Sequence, residues 1–173
     1  MKKQKSIGNK GFSLVELIIV IAIMAILVGV MAPQLLRYVE RTRVSADTQI
    51  ADSVRTAVTT AMLDPAVISA PTPGVPAPNT VLNFSSNVGF TGAFGTSVAA
   101  TLGYASVDEM VGANGIVSEL QSDGAADVTL GITATIDATG NRVTVTITGS
   151  NDGNGHQITV GGDAPTTPAG GDS

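Results

Sequence analysis

The chain has 173 residues, no cysteine, no tryptophan and one histidine, so disulfide frameworks and thiolate metal sites are excluded. All four lysines lie in the first ten residues, and without them five arginines face fourteen carboxylates, a side-chain charge of −9. An acidic body repels phosphate backbones, so broad nucleic-acid binding is not expected.

The first element along the chain is an apolar run over residues 12–32 with a single charge, Glu16. As a helix rising about 1.5 Å per residue, it is about 31 Å long, close to the hydrocarbon thickness of a bilayer. Its Leu, Ile and Val residues favour insertion by about 3–6 kcal/mol, more than a glutamate near the helix end costs. The lysines precede this span, so we expect the N-terminus to remain cytoplasmic and the rest to lie outside.

An ordinary secretory signal peptide is the alternative interpretation of this segment. It would also have a basic start, an apolar run and small residues, here near residues 30–32. Glu16 between the basic and apolar regions is unusual for such a signal, and the helical pattern does not stop after Ala32. Both features favour a helix that is retained.

The stretch "KGFSLVELIIVIAIMAILVGVMAPQL" resembles the N-terminus of type IV prepilins and pseudopilins. A short basic leader ends in Gly11, and Phe12, Ser13 and Glu16 follow in the pattern of that family. The resemblance covers about residues 8–55. Glycine, an aromatic residue and a glutamate at fixed offset, with an apolar span beginning at once, form a specific combination.

The resemblance implies processing of the N-terminus. A membrane-embedded prepilin peptidase would remove residues 1–11, cutting between Gly11 and Phe12, and would methylate the new amino group of Phe12. Glu16 would then meet the positively charged N-terminus of a neighbouring subunit and fix its register. The open alternative is a glutamate that merely reaches the lipid headgroups.

Gly29 and Pro33 are a second feature of the N-terminal segment. Pro33 removes the hydrogen bond to the Gly29 carbonyl and crowds that carbonyl, so a kink or a turn that melts is expected. Filaments of the family the chain resembles can lose helicity around this point. A simple kink where the span leaves the membrane is the equal alternative.

Residues 34–63 contain no glycine or proline and predict an amphipathic helix. The predicted apolar stripe consists of Val39, Ala46, Ile50, Val54, Ala57 and Ala61. Charges on the other face indicate a solvated surface with pairs such as Asp52 with Arg55, or contacts between subunits. Together with the span, this gives one helix over residues 12–63, which a small head cannot bury, so its first half requires membrane or other subunits.

Residues 64–163 are interpreted as a globular head. A proline-rich loop covers 65–80, residues 81–100 remain unassigned, and a short helix is expected near 106–111. Alternating Val, Ile and Thr predict an antiparallel meander. Its strands are expected near residues 128–136, 142–148 and 156–160, before a disordered tail at 164–173.

Signals for other chemistry are weak. His156 has no accompanying nucleophile motif, and Asp152 and Asp163 lie in glycine-rich turns whose spacing fits no defined calcium loop. They are weak metal candidates, and turn residues are favoured. We expect no cofactor, no metal and no enzymatic activity.

The predicted fold is α+β and type IV pilin-like, with a long N-terminal helix packed on a small antiparallel sheet. The resemblance implies the structural subunit of a type IV pilus, a helical homo-oligomer that serves motility, adhesion or surface attachment. Its partners would be the peptidase, a pilus assembly platform and the cytoplasmic membrane, which the subunit crosses once before it moves to the surface pilus. A pseudopilin of a type II-like secretion system, a minor or competence pilin, and a single-pass surface protein that never polymerises are the alternatives.

Overall fold

The computed structural model of the protein describes residues 13–71, 74–121, 130–148 and 158–162. The chain divides into two units, Met1–Val39 and Glu40–Ser173. The helices are α1 (Leu14–Leu63), α2 (Pro65–Ile68), α3 (Gly92–Thr101) and α4 (Val107–Met110), with a 3-10 turn at Ile116–Glu119. The strands are β1 (Val81–Asn83), β2 (Gly131–Ile136), β3 (Val143–Thr148) and β4 (Ile158–Val160).

The four strands form one antiparallel sheet in the order β1-β2-β3-β4. In β3, the residues Val143, Val145 and Ile147 are buried while the intervening threonines are half-buried. This alternation follows from the period of two along a strand, which turns every second side chain to the core. The predicted α+β class, a long N-terminal helix followed by a small antiparallel sheet, is confirmed.

The second half of α1 supplies small residues to the core of the head. Ala51, Val54, Ala57, Val58 and Ala61 are fully buried and belong to the same cluster as the apolar face of β2 and β3. Small side chains at these positions let the helix backbone approach the sheet closely. The predicted stripe is therefore correct at Val54, Ala57 and Ala61.

The same stripe is wrong at its beginning. Val39 is exposed and Ala46 and Ile50 are half-buried, although Ile50 still packs against the core. The fully buried residue of that turn is Asp47. Its carboxylate oxygen Oδ1 accepts a hydrogen bond from the backbone N–H of Gln121 at 2.8 Å. A charged residue was expected on the solvated face. The Gln121 N–H instead requires an acceptor, and the Asp47 carboxylate supplies it.

The region left unassigned from the sequence contains α3 and β1. Residues Phe94, Val98 and Ala99 of α3 are buried, at spacings that place them on one helix face. Phe84 and Phe90 meet edge to face with ring centroids 4.7 Å apart, and Phe90 and Phe94 stack at 6.5 Å. Aromatic packing therefore organises a stretch that is rich in glycine, serine and threonine.

Helix α4 begins as its sequence predicts. The Ser106 hydroxyl accepts a hydrogen bond from the Glu109 N–H at 3.2 Å, and the Glu109 carboxylate accepts one from the Ala105 N–H at 2.9 Å. Side chains of this type satisfy backbone donors that have no partner within a first helical turn. The leader (1–11), the tail (164–173) and part of the loop before β4 lie outside the described residues.

Candidate functional site

The first turn of α1 is closed by two side chains, those of Ser13 and Glu16. The Ser13 hydroxyl accepts a hydrogen bond from the Val15 N–H at 3.3 Å. In return, Glu16 Oε2 accepts one from the Ser13 N–H at 2.8 Å. Ser13 is thus the N-cap and Glu16 the third helical residue, a reciprocal capping arrangement that satisfies two backbone donors.

This geometry gives Glu16 a role beyond the one that the family resemblance implies. The serine and glutamate have the S-x-x-E spacing of a capping box, a signal sufficient to find it. The acidic side chain also lies at the helix N-terminus, where the macrodipole favours negative charge. Within the described residues the other oxygen, Oε1, accepts no hydrogen bond, so the carboxylate keeps acceptor capacity.

The other residues of the predicted processing site cannot be placed. Gly11 and Phe12 lie outside the described residues, which begin at Ser13. Cleavage, methylation and the pairing of Glu16 with a Phe12 amine therefore remain predictions.

The apolar half of α1 is exposed among the residues that the structure describes. From Leu14 to Met31, the large hydrophobic side chains are 48–73 % exposed. An 18-residue stretch of α1 has a mean hydropathy of 3.0 and none of it is buried. The helix is therefore long and apolar enough to cross a membrane. Apolar surface of this extent requires lipid or other protein chains, because water disfavours it.

Gly29 and Pro33 lie within α1, which is helical without a break from Leu14 to Leu63. A side chain built at Gly29 would meet no atom within 4 Å. Among the described residues, the space around Gly29 is thus open. Kinking or melting at this point remains a prediction about the assembled state.

No metal centre is formed in the part of the chain that the structure describes, where no three His, Cys, Asp or Glu side chains are grouped to hold an ion. The weak candidates Asp152 and Asp163, and also His156, fall outside that part.

A turn between β2 and β3 shows how an exposed carboxylate is used instead. Asp137 accepts hydrogen bonds from the Thr139 hydroxyl and from the N–H groups of Asn141 and Arg142. These bonds, led by that of Thr139, lower the pKa of Asp137. The residues "DATGN", 137–141, close a hairpin around this side chain.

Comparison with known proteins bears on the N-terminal segment. Residues 8–32 match the family described as the prokaryotic N-terminal methylation motif. Three curated relatives, each a type IV major fimbrial protein FimA of Dichelobacter nodosus, are 43%, 43% and 44% identical over 56 residues. This stretch is 32% of the chain and covers 36%, 35% and 36% of those relatives. No solved structure matches the chain.

The chain thus spans about a third of the length of these relatives. The resemblance to type IV prepilins and pseudopilins, based on Gly11, Phe12 and Glu16, is confirmed for the N-terminal segment. The long helix and the four-stranded sheet match the pilin-like α+β fold.

Proposed function

We propose that this chain, which carries the N-terminal methylation motif of type IV prepilins and pseudopilins, is a structural subunit of a type IV pilus. A prepilin peptidase in the cytoplasmic membrane removes residues 1–11 and methylates the amino group of Phe12. The subunit then remains in the membrane as a single-pass protein with its head outside. An assembly platform moves it into the filament, which serves motility, adhesion or attachment.

The observation that carries this proposal is the continuity of α1. The apolar half of the helix lies within the matched methylation motif, residues 8–32, and is exposed, whereas its second half forms part of the core of the head. A helix with these two halves fits the bilayer before assembly. After assembly, its apolar half fits a filament core that is built from the same segment of many copies. The relatives support this second environment, since they are fimbrial proteins.

The capping of α1 supports a specific role for Glu16 in assembly. Oε2 is held by the Ser13 N–H, which orients the carboxylate at the beginning of the helix. Oε1 is then available to the Phe12 ammonium of a neighbouring subunit, a cation that exists only after cleavage. In the low dielectric of a helical bundle, neither charge is tolerated alone, so only one axial register is favourable.

Mass spectrometry of the mature N-terminus tests the processing. We expect a chain that begins with N-methylated Phe12 and contains the whole of α1. A mature chain beginning at Pro33 or Gln34 would show that the apolar helix is a discarded secretory signal.

Electron microscopy of sheared cell-surface material tests the filament. We expect filaments in which this chain is the main component. A chain that is processed and never polymerises would instead be a single-pass surface binding protein. A chain found only in a short periplasmic filament that serves secretion would be a pseudopilin.

A further inference from the structure

Asn83, the last residue of β1, begins the sequence Asn83-Phe84-Ser85. An asparagine with serine or threonine two positions later, and a residue other than proline between them, is the acceptor pattern for an N-linked glycan. The chain has eight asparagines, and only Asn83 meets this pattern. The pattern gains meaning only from the place that the fold gives to the asparagine.

The fold leaves the side-chain nitrogen of Asn83 unused. Its Oδ1 accepts a hydrogen bond from the Ser85 N–H at 2.8 Å, which fixes the orientation of the amide group. Within the described residues, Asn83 Nδ2 donates no hydrogen bond, and neither does the Ser85 hydroxyl. A substituent on Nδ2 therefore breaks no hydrogen bond of the folded head.

Asn87, in the turn that follows, has the opposite arrangement. Its Nδ2 donates a hydrogen bond to Asp108 Oδ1 at 2.6 Å, and the residue two positions later is Gly89. A substituent on this nitrogen would compete with the bond to Asp108. The acceptor pattern and the unused nitrogen therefore coincide at Asn83 and are both missing at Asn87.

Asn83 lies on the outer face of the sheet. Its neighbours Leu82 and Phe84 are fully buried, so the alternation along a strand turns the Asn83 side chain away from the core. Asn83 is half-buried and Ser85 is exposed. Since β1 is an outer strand of the sheet, a group attached to Asn83 begins at the rim of this face.

The outer face around Asn83 carries no charged residue within the described strands. Its other members are Val81, Gly131, Thr133, Thr135, Thr144, Thr146, Thr148 and Thr159. Asn83 pairs with Thr133 of β2. Thr133 pairs with Thr146, which pairs with Thr159, so one row of polar side chains crosses all four strands. This row is about 14 Å long, and a glycan can lie along its hydroxyl groups without removing water from a charge.

We propose that Asn83 is the attachment site of an N-linked glycan, and that the donor is an oligosaccharide carried on a lipid diphosphate. This inference rests on the proposed function, which places the head outside the cytoplasm. In the transfer, a bond forms between Asn83 Nδ2 and the first carbon of the sugar, and the bond from that carbon to the diphosphate oxygen breaks. Nδ2 loses one proton to a base of the glycosyltransferase, and the lipid diphosphate leaves with the electron pair.

The burial of Phe84 sets the order of events. Phe84 is the middle residue of the acceptor pattern and is fully buried in the folded head. A transferase that binds the three residues must therefore act before this segment packs against the core. The free Nδ2 and the open outer face then let the modified segment fold with the glycan outside.

Mass spectrometry of the mature full-length chain, taken from the filaments and membranes of its own host, tests the site. We expect a mass above that of the N-methylated sequence by whole sugar residues, located on the peptide that contains Asn83. Intact filaments of a chain without this added mass would overturn the glycan and leave the pilus function standing. A glycosylated chain that stays in the membrane and forms no filaments would overturn the pilus function and keep the glycan.

Substitutions within the pattern assign the added mass to Asn83. Ser85→Ala leaves Asn83 in place and removes the hydroxyl that completes the pattern, so the added mass should disappear. Ser85→Thr retains the pattern and should keep it. The matched control, Ser86→Ala, lies one residue beyond the pattern and should keep it as well. Added mass that survives Ser85→Ala would overturn the assignment to Asn83.

Thiol labelling tests whether the folded head has room for the glycan. The natural chain has no cysteine, so Asn83→Cys supplies a single thiol. In the folded full chain in detergent micelles, this thiol should react with a bulky maleimide. Ala134→Cys, at a fully buried position of β2, should react only after denaturation. Labelling of Asn83→Cys that also requires denaturation would show a closed outer face and overturn the proposal.

Discussion

The Arg55 Nε–H on α1 donates a hydrogen bond to the backbone carbonyl oxygen of Val143, the first residue of β3, at 3.2 Å. Val145 of β3 pairs with Val160, the last residue of β4. Val143 therefore lies two residues beyond the end of this pairing. The Arg55 guanidinium thus supplies a hydrogen bond to β3 where β4 has ended and no longer pairs with it. It joins the helix to the sheet by a directional bond in addition to apolar packing.

Gly161 makes room for this arginine. Its φ is +85°, and a Cβ at this position would strike the Arg55 side chain and the Val143 carbonyl. Gly161→Ala should therefore lower the free energy of unfolding by about 1–3 kcal/mol, through an unfavourable backbone conformation and the displaced arginine. Urea unfolding of the full chain in detergent micelles, followed by circular dichroism, measures this.

The neighbouring Gly162 is the control for that variant. A Cβ there would have only ordinary contacts, the shortest to the Thr144 methyl at 3.6 Å. Gly162→Ala should stay within about 0.5 kcal/mol of the unaltered chain. Similar losses from both substitutions would refute the role given to Gly161.

Asp47 ties α1 to the segment after the 3-10 turn. It is fully buried, and its Oδ1 accepts the Gln121 N–H at 2.8 Å. Asp47→Ala leaves the part-buried Gln121 N–H without this acceptor and should cost about 1–3 kcal/mol. Asp47→Asn retains an acceptor oxygen and should cost less, while Asp52→Ala at an exposed position should change little. Chemical denaturation ranks the three, and equal stability of the Ala and Asn variants would contradict this account.

The long helix and the last strands could be predicted because their patterns are regular. Residues 34–63 keep a helical period without Gly or Pro, and residues 143–148 alternate Val or Ile with Thr, so local periodicity specifies both elements. Asp47 could not be predicted to be buried, because its cover comes from a residue that is distant in sequence. The burial of such a charge depends on tertiary packing and leaves no signal in helical spacing.

The region around α3 could not be assigned from the sequence for a different reason. Its residues, "GAFGTSVAAT", include two glycines and two threonines, which have low helix propensity, and they offer a weak apolar pattern. Burial of Phe94 and Val98 against the core outweighs that propensity. At the N-terminus the opposite holds, because the spacing of Ser13 and Glu16 is by itself enough to predict a capping box.

The phenylalanine cluster is expected to dominate the stability of this region. Phe84 and Phe94 are fully buried, and Phe90 contacts both rings. Phe94→Ala should cost about 3–5 kcal/mol, since it removes a large side chain and leaves a cavity. Phe94→Leu fills more of that space and should cost less. Thermal unfolding of the full chain distinguishes them, and a loss below about 1 kcal/mol for Phe94→Ala would show that the core collapses around the gap.

Tyr104 should titrate at unusually high pH. Burial, followed by the hydrogen bond to Glu119 and the charges of Glu119 and Glu109, raises the pKa of its hydroxyl from 10.0 to about 12. Because the folded state holds this proton more tightly than the unfolded state, the stabilisation is complete below pH 10 and is lost as the pH rises from 10 through 12.

Ultraviolet absorbance of the phenolate measures this titration. The chain has two tyrosines, and Tyr38→Phe leaves Tyr104 as the only one. Adding Glu119→Gln keeps an acceptor for the hydroxyl and removes the charge, so the pKa should move towards its ordinary value without reaching it. An unchanged titration after Glu119→Gln would assign the whole effect to burial.

Glu16 has two separable roles, capping its own helix and pairing with a neighbour. Glu16→Gln keeps a side-chain oxygen for the Ser13 N–H, so the cap survives, but it removes the charge. If the charge sets the register of neighbouring subunits, this variant should be processed and retained in the membrane yet form no filaments.

Ser13→Ala does the reverse: it costs about 1 kcal/mol of helix capping and keeps the carboxylate, so filaments should persist at lower yield. Counting sheared filaments in electron micrographs, with membrane fractions as the control for insertion, compares the two. Normal filaments from Glu16→Gln would reduce Glu16 to a helix cap and remove the charge pair from the assembly mechanism.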